Sequence, residues 1–231
     1  MFFSKRYKLL FIAIPKTGST SIEAFLKTID PNGSNHSITI NGSILKGKDF
    51  EKGIIGHARA REIQSVVGIK NYEGLNSFTF VRNPYELLVS AYFFSKKNKI
   101  GHFKNFKGSK RIFRRKMGYF FSVLSAKMIP FQIWALLYPY KSSYNYIFDN
   151  NGKKLIKYIG RTDNLYGDLI EILNLMGIDI SNQELQYLNK SSHKDISHYY
   201  NNRLFKYIIY KKIKRDLDLY ENISSKYENL N

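Results

Sequence analysis

The stretch from Leu9 to Ile29 constrains this chain more than any other. Leu9 to Ile14 is an unbroken apolar run with the length and composition of a buried strand. SIEAFLKTI follows, and in it Ile22, Phe25, Leu26 and Ile29 recur at helical spacing. A short loop of Pro, Lys, Thr, Gly and Ser joins the two. A strand that feeds a helix through such a loop points several backbone N–H groups at one spot, and the helix dipole adds to their field. Lys16 brings a mobile positive charge to the same place, and Thr17, Ser19, Thr20 and Ser21 supply hydroxyl donors. The segment reads as a pocket for a phosphate-like group; the alternative is an ordinary strand-to-helix turn with a surface lysine. It is not a Walker A loop, which places Lys immediately before Ser/Thr after a longer Gly-rich lead-in. Here Gly18 precedes Ser19, and Lys16 stands earlier.

With 231 residues the chain suits one domain, and we expect it over 1–221, with a frayed tail over 222–231. Hydrophobic residues at 43% and aromatics at 16% are enough for a full core. The absence of cysteine excludes disulfides, thiolate metal sites and cysteine nucleophiles. A formal charge of +19 implies an anionic partner: a nucleotide, an acidic polysaccharide, a nucleic acid or a membrane surface. The opening MFFSKRYKLLFIAI is basic and then apolar, like a signal peptide. It is short and lacks a small-residue cleavage site, so it reads as the first strand. No stretch reaches the length of a membrane span.

Asp30 to Lys48 reads as loop, with an extended piece at Ser37–Ile40 at most. A short strand at Ile54–Ile55 and an amphipathic helix from Arg59 to Val67 follow, with His57 at their junction. That is the C-terminal end of a strand, the sheet edge where open α/β folds bind ligands. His57 is the natural general base of the chain, or else a helix-capping or core histidine. Ser77 to Val81 reads as a strand, Asn83 as an N-cap and Pro84 as the first helical residue. Leu87, Leu88, Ala91 and Phe94 line the buried face of that helix. Arg82 leaves the strand at the same edge as His57, suited to a bidentate phosphate contact, and Ser90 lies two turns into the helix.

Leu87 to Phe148 contains no Asp or Glu and twelve Lys and Arg, ten of them between Lys96 and Lys116. Such a single-signed stretch reads as a mobile basic loop for an anionic acceptor, or as a disordered insert that only aids solubility. MGYFFSVLSAKMIPFQIWALLYPY then gives one or two helices interrupted near Pro130 and ended near Pro139. Its Trp134, Tyr138 and Tyr140 suit core packing, or stacking on sugars. Leu155–Ile159 reads as a strand, Thr162 as an N-cap with Asp163 in the first turn, and a helix runs to Met176 before Gly177. Arg161 sits at that strand's exit. A last helix spans Asn201 to Tyr220, with Leu204, Ile208, Ile209, Ile213 and Leu217 as its buried stripe.

Taken together, IPKTGSTS, the GHA segment at His57, RNPYELLVSAYF and GRTDN, in that order, resemble the sulfotransferases that use 3′-phosphoadenosine 5′-phosphosulfate (PAPS). The wording of the first loop is similar to that of the carbohydrate branch related to the heparan sulfate 2-O enzymes, sulfotransferase family 2. The resemblance implies a P-loop-like, three-layer α/β fold with a central parallel sheet flanked by helices. Alternating strands and helices say the same. It also implies a phosphosulfate loop at Lys16, Thr17, Gly18, Ser19, Thr20 and Ser21, and a 3′-phosphate site at Arg82 and Ser90. Arg161 is expected in a structural or cofactor-edge role. A polar loop before the last helix, with Lys190, Ser191, Ser192, His193 and Lys194, is expected to close over the nucleotide. Two positions depart from the family's pattern: Leu87, where relatives often carry arginine, and Asp163, where glutamate is usual.

On this reading His57 removes a proton from an acceptor hydroxyl as it attacks sulfur. Lys16 neutralises the departing adenosine 3′,5′-bisphosphate (PAP), and no metal is expected. The implied acceptor is a glycan or glycolipid, acidic given the basic span, with no nucleic acid. The cytoplasm is the expected location, and the same basic span would also serve a peripheral hold on anionic lipid. Two rivals are a nucleotide-dependent kinase and a non-enzymatic polyanion-binding module. The position of Lys16, and the lack of an acidic strand end near the loop, speak against the kinase.

Overall fold

The N-terminal stretch contains two strands where its sequence reads as one. The computed structural model describes residues 1–35, 37–40, 43–46, 56–98, 110–180 and 195–223. In it, Phe2–Ser4 (β1) turns back antiparallel onto Leu9–Ile12 (β2), with Phe2 opposite Phe11. The turn closes through the Lys8 N–H on the Lys5 carbonyl, and Lys8 adopts φ 48°. The basic residues Lys5, Arg6 and Lys8 thus occupy a reversal, not the start of a longer strand. The chain divides into two compact units: Met1–Asn83 with Lys141–Lys190 and Arg215–Asn231, and Pro84–Tyr140 with Ser191–Lys214.

The first unit is built on a four-stranded sheet of order β1-β2-β5-β6, where β5 is Asn76–Val81 and β6 is Tyr158–Arg161. β2, β5 and β6 run parallel, so the expected parallel sheet is present, with antiparallel β1 added at one edge. The apolar run from Leu9 to Ile14 is continuous because both faces of its strand are covered. Leu9, Phe11 and Ala13 point to one layer with Ile22, Phe25 and Leu26 of α1 (Ser19–Ile29) and Leu169 and Ile172 of α8 (Leu165–Leu175). Leu10, Ile12 and Ile14 point to the other, against Ala60 and Ile63 of α2 (Ala60–Val67), Tyr72 of α3 (Ile69–Glu73) and Ile147 of α7 (Tyr144–Ile147). This is the three-layer α/β arrangement. Fully burying each aromatic ring of the strand core, Phe11 and Phe78 among them, contributes about 1.5–3 kcal/mol. Gly160 in β6 is required by close approach, since a Cβ there would lie 2.5 Å from the Phe80 ring.

Three local expectations shift. Ser37–Ile40 (β3) is not an isolated piece in a loop: it pairs antiparallel with Ser43–Lys46 (β4) and buries Ile38. Asn-Gly at 41–42, between the two, is the sequence signal that would have found the pair. β6 starts at Tyr158 and not at Leu155, because the Leu155 N–H is taken by the Ile147 carbonyl at 2.9 Å. Thr162 does not cap α8; it opens a single 3₁₀ turn, and Asn164 takes the N-cap position. The expected strand at Ile54–Ile55 lies outside the described residues.

The second unit is helical in its described residues: α4 (Pro84–Lys97), α5 (Lys110–Met128), α6 (Phe131–Leu137), a 3₁₀ turn at Ile196–Tyr199 and the first part of α9 (Arg203–Asn222). The C-terminal part of the basic stretch is therefore helix and not loop. Phe131 is the hub of the core, meeting Tyr92, Tyr199 and Tyr200 edge-on at 5.6, 5.3 and 5.4 Å between ring centres. Trp134 is 1% exposed and stacks on Tyr138, so both rings serve the core. Phe94, expected inside, is 47% exposed, and Tyr92 and Val89 are buried in its helix instead. On α9 the buried stripe is Phe205, Ile209 and Ile213, continued by Asp216 and Tyr220, while Leu204 and Ile208 face outward. Both stripes have helical period, and the aromatic Phe205 stacked on Tyr200 decides between them.

Candidate active site

The loop between β2 and α1 folds through two left-handed residues, Lys16 at φ 71° and Gly18 at φ 72°. Glycine accepts that conformation without strain, and a Cβ at Gly18 would also press on Leu165 at 3.4 Å. Thr17 is fully buried, and its hydroxyl donates to the Ile14 carbonyl at 2.9 Å. Thr17 thus fastens the turn with its side chain. The Gly18 carbonyl accepts from both Ser21 and Ile22, so the N–H groups of Ser19 and Thr20 are first-turn donors of α1 with no carbonyl behind them in the helix. Ser19 is half-buried and Thr20 exposed, while Ser21 lies on the buried face of the helix.

Arg82 emerges half-buried from the end of β5, beside this loop. β2 and β5 are locked at that end by the Thr79 hydroxyl on the Ile12 carbonyl at 2.6 Å. Burial, and next the Arg82 charge, push the Lys16 ammonium down to about 8. Two half-buried cations held together beside first-turn helix N–H groups suit one kind of ligand, an anion. The residues present therefore fit a phosphosulfate group.

His57 reaches the same edge. Its Nδ1 lies 2.9 Å from the carbonyl of Ala13, the residue after β2. A carbonyl only accepts, so Nδ1 carries the proton, and the Nε2 lone pair is left to accept one. Although the side chain is exposed overall, atoms packed around the ring strip enough water to hold His57 below its ordinary 6.5. The Ala13 bond works the other way. Glu23, on α1 one turn beyond Ser19, faces the same segment. The Met1 nitrogen donates to Glu23 at 2.5 Å and to the Gly56 carbonyl at 2.8 Å.

Arg161 stands in register with Val81, at the same strand edge. Its guanidinium is bound by Asp163 at 3.1 and 2.8 Å, donates to the Tyr220 hydroxyl at 2.9 Å, and lies 4.3 Å from the Tyr220 ring centre. The Tyr220 hydroxyl in turn donates to Asp163 at 2.9 Å. Burial pushes the Asp163 carboxyl up, but the hydrogen bonds from Arg161 and Tyr220 outweigh it and hold the group below the usual carboxylate range. The Arg161 N–H is taken by Asp168, which also accepts from the Asn164 side chain. Sequence reasoning missed Tyr220 and Asp168. Asn164 and Asp168, four residues apart, give a local signal, whereas Tyr220 is 59 residues from Arg161 and gives none.

The structure thus brings Lys16, Arg82, His57 and Arg161 to one edge of one sheet. Ser90 is 4% exposed on α4, in the second unit. Ser192, His193 and Lys194, with Lys190 and Ser191, lie outside the described residues. Within the second unit, Tyr85, Tyr200, Ser197, His198, Asn201 and Lys206 line an open cleft of about 640 Å³. Among the described residues no cluster of three or more His, Asp or Glu is placed to hold a metal ion. No match was found among curated proteins or among solved structures. A model of the sulfotransferase family matches residues 1–229, and with almost its whole length covered this chain belongs to that family of sulfuryl-transferring, PAPS-using enzymes.

Proposed function

We propose that this enzyme transfers the sulfuryl group of PAPS to a hydroxyl of an acidic glycan. The observation that carries the reading is the pairing of Lys16 and Arg82 beside the α1 start, with a histidine lone pair at the same edge. The Ser19 and Thr20 N–H groups and the Lys16 ammonium hold the 5′-phosphosulfate, and Arg82 holds the 3′-phosphate. His57 Nε2 takes the proton of the acceptor hydroxyl as its oxygen bonds to sulfur and the bond from sulfur to the bridging oxygen breaks. Lys16 neutralises the charge that develops on that oxygen.

The acidic acceptor rests on charge. The second unit carries seventeen Lys and Arg against two acids, Glu86 and Asp195. Its cleft sets the Lys206 cation and polar groups against the rings of Tyr85 and Tyr200, a composition suited to a sugar carboxylate or sulfate. Turnover with a labelled phosphosulfate donor, on acidic and neutral glycans and with Mg·ATP as the competing donor, is the test. We expect transfer from the phosphosulfate donor, faster to acidic polymers and weakened by salt. Neutralising Lys104, Lys107, Lys110, Arg111, Arg114 and Arg115 together should raise acceptor KM about tenfold or more and flatten its salt dependence, sparing donor affinity. Equal use of neutral alcohols by wild type and by the neutralised variant would overturn the acidic acceptor. Transfer from Mg·ATP alone would overturn the donor.

A further inference from the structure

The second unit turns aliphatic side chains outward on two neighbouring elements. On α6, Ile133, Leu136 and Leu137 are 49, 43 and 72% exposed, while Phe131, Trp134 and Ala135 fill the opposite face. On α9, Leu204 and Ile208 lie one turn apart at 68 and 42% exposed, with Lys212 one turn further on. The Lys212 ammonium donates to the carbonyls of Ala135, Leu136 and Tyr138 at 2.9, 3.0 and 2.6 Å. The face of α9 that carries Leu204 and Ile208 is therefore the face that meets the end of α6. This contact sets the α9 row of Leu204 and Ile208 next to the α6 end that exposes Leu136 and Leu137.

The rim of this face is cationic. Lys127, Arg203 and Lys211 are exposed beside it in the chain, and α5, α6 and α9 as far as Lys214 contain no Asp or Glu. An acidic polymer would use the cations and leave the aliphatic side chains in water. A second copy of the same face would set cations against cations. Aliphatic side chains among cations without carboxylates match a bilayer surface, where the former enter the acyl boundary and the latter meet headgroup phosphates. We propose that the α6–α9 face docks the chain on the surface of an anionic lipid bilayer. Among the described residues no helix is long and apolar enough to cross a membrane, and the contact is with the surface alone.

Co-sedimentation of the full chain with vesicles of phosphatidylcholine, with and without phosphatidylglycerol, tests this. Wild type should bind the mixed vesicles and not the neutral ones. Ile133→Ser, Leu137→Ser, Leu204→Ser and Ile208→Ser combined should lower partitioning about tenfold or more, with melting temperature and turnover of a soluble acceptor unchanged. Lys127→Gln, Arg203→Gln and Lys211→Gln combined should lower it on the order of a hundredfold at low salt. The chain has no cysteine, so Leu137→Cys carrying an environment-sensitive dye gives a second reading in an otherwise intact protein. The dye should shift to the blue on mixed vesicles, while one at Ile44→Cys in the first unit should not. Unchanged binding by the serine variant, no blue shift at Leu137→Cys, or a wild-type dimer in light scattering that the serine variant dissociates would overturn the proposal.

Discussion

The two units of this chain invert each other. The first holds the sheet, carries twenty Lys and Arg against sixteen Asp and Glu, and exposes only three large apolar side chains, Ile44, Ile69 and Leu175, among its described residues. The second carries a formal +15 of the chain's +19 and exposes ten among its described residues. In the first, charge is placed singly and paired locally, as Arg161 with Asp163 or Glu23 with the Met1 nitrogen. Lys16 and Arg82 also set two like charges near each other. In the second, charge is spread and almost all of one sign. On the function proposed above, the difference separates chemistry at a sheet edge from broad attraction of an anionic acceptor.

Substitutions in the first unit should therefore change chemistry and donor binding and leave the salt dependence of acceptor binding alone. His57→Ala should have the largest effect, a loss of roughly 10² to 10⁴ in kcat with donor affinity and melting temperature retained. The acidic limb of the pH profile should vanish with it. Because burial holds His57 below 6.5, that limb in the wild type falls below pH 6.5. The same shift means that stability declines as pH drops from 6.5 toward the folded value, where the unfolded chain binds the extra proton. Wild-type turnover in His57→Ala would move the base elsewhere, and His198 in the second unit would then be tested, which would break the division.

Lys16→Ala should cut kcat by at least about a hundredfold, with a much smaller fall in donor affinity. Its ammonium, held at about 8, should give kcat/KM an alkaline limb near that pH in the free enzyme. Bound donor anions raise the group again, so the limb in kcat should lie higher, and Lys16→Arg should remove it from both. A limb unchanged in Lys16→Arg belongs to another group.

Arg82→Ala should weaken PAP binding about ten- to a hundredfold, the range for hydrogen bonds to charged groups, and leave adenosine 5′-phosphosulfate nearly unaffected. Calorimetry with both ligands separates them; equal losses would place Arg82 away from the 3′-phosphate. The smallest effect is expected from Tyr220→Phe, which keeps the ring under Arg161 and removes the hydroxyl shared with Asp163. Urea unfolding should show a loss of about 1 kcal/mol. If turnover fell with stability unchanged, Arg161 would be a ligand of the reaction and not a fastening of β6.

Phe11, Ile22 and Phe25 show why the first unit was legible in the sequence. A strand buried on both faces and a helix buried on one each announce their period locally, and the loop between them is bounded by what cannot be strand or helix. Lys16 and Arg82 could be placed on one edge because parallel strands end at the same side of a sheet, whereas what holds His57 at that edge is its bond to the Ala13 carbonyl. Thr17 and Ser21 show the limit. Their hydroxyls read as anion donors, yet Thr17 closes its own turn and Ser21 faces inward, which depends on the path of the backbone.

By itself the sequence determined the main strands and helices around the first loop and β5, the loop that gathers donors around Lys16, and the uneven placement of charge, because these follow from neighbours in the chain. Only the tertiary structure decided the rest. It turned β1 back on β2, chose Phe205 over Leu204 for the core, left Phe94 in water and fastened Arg161 to Tyr220. Each of these is a choice between arrangements of similar local energy, settled by partners that are distant in sequence and adjacent in space.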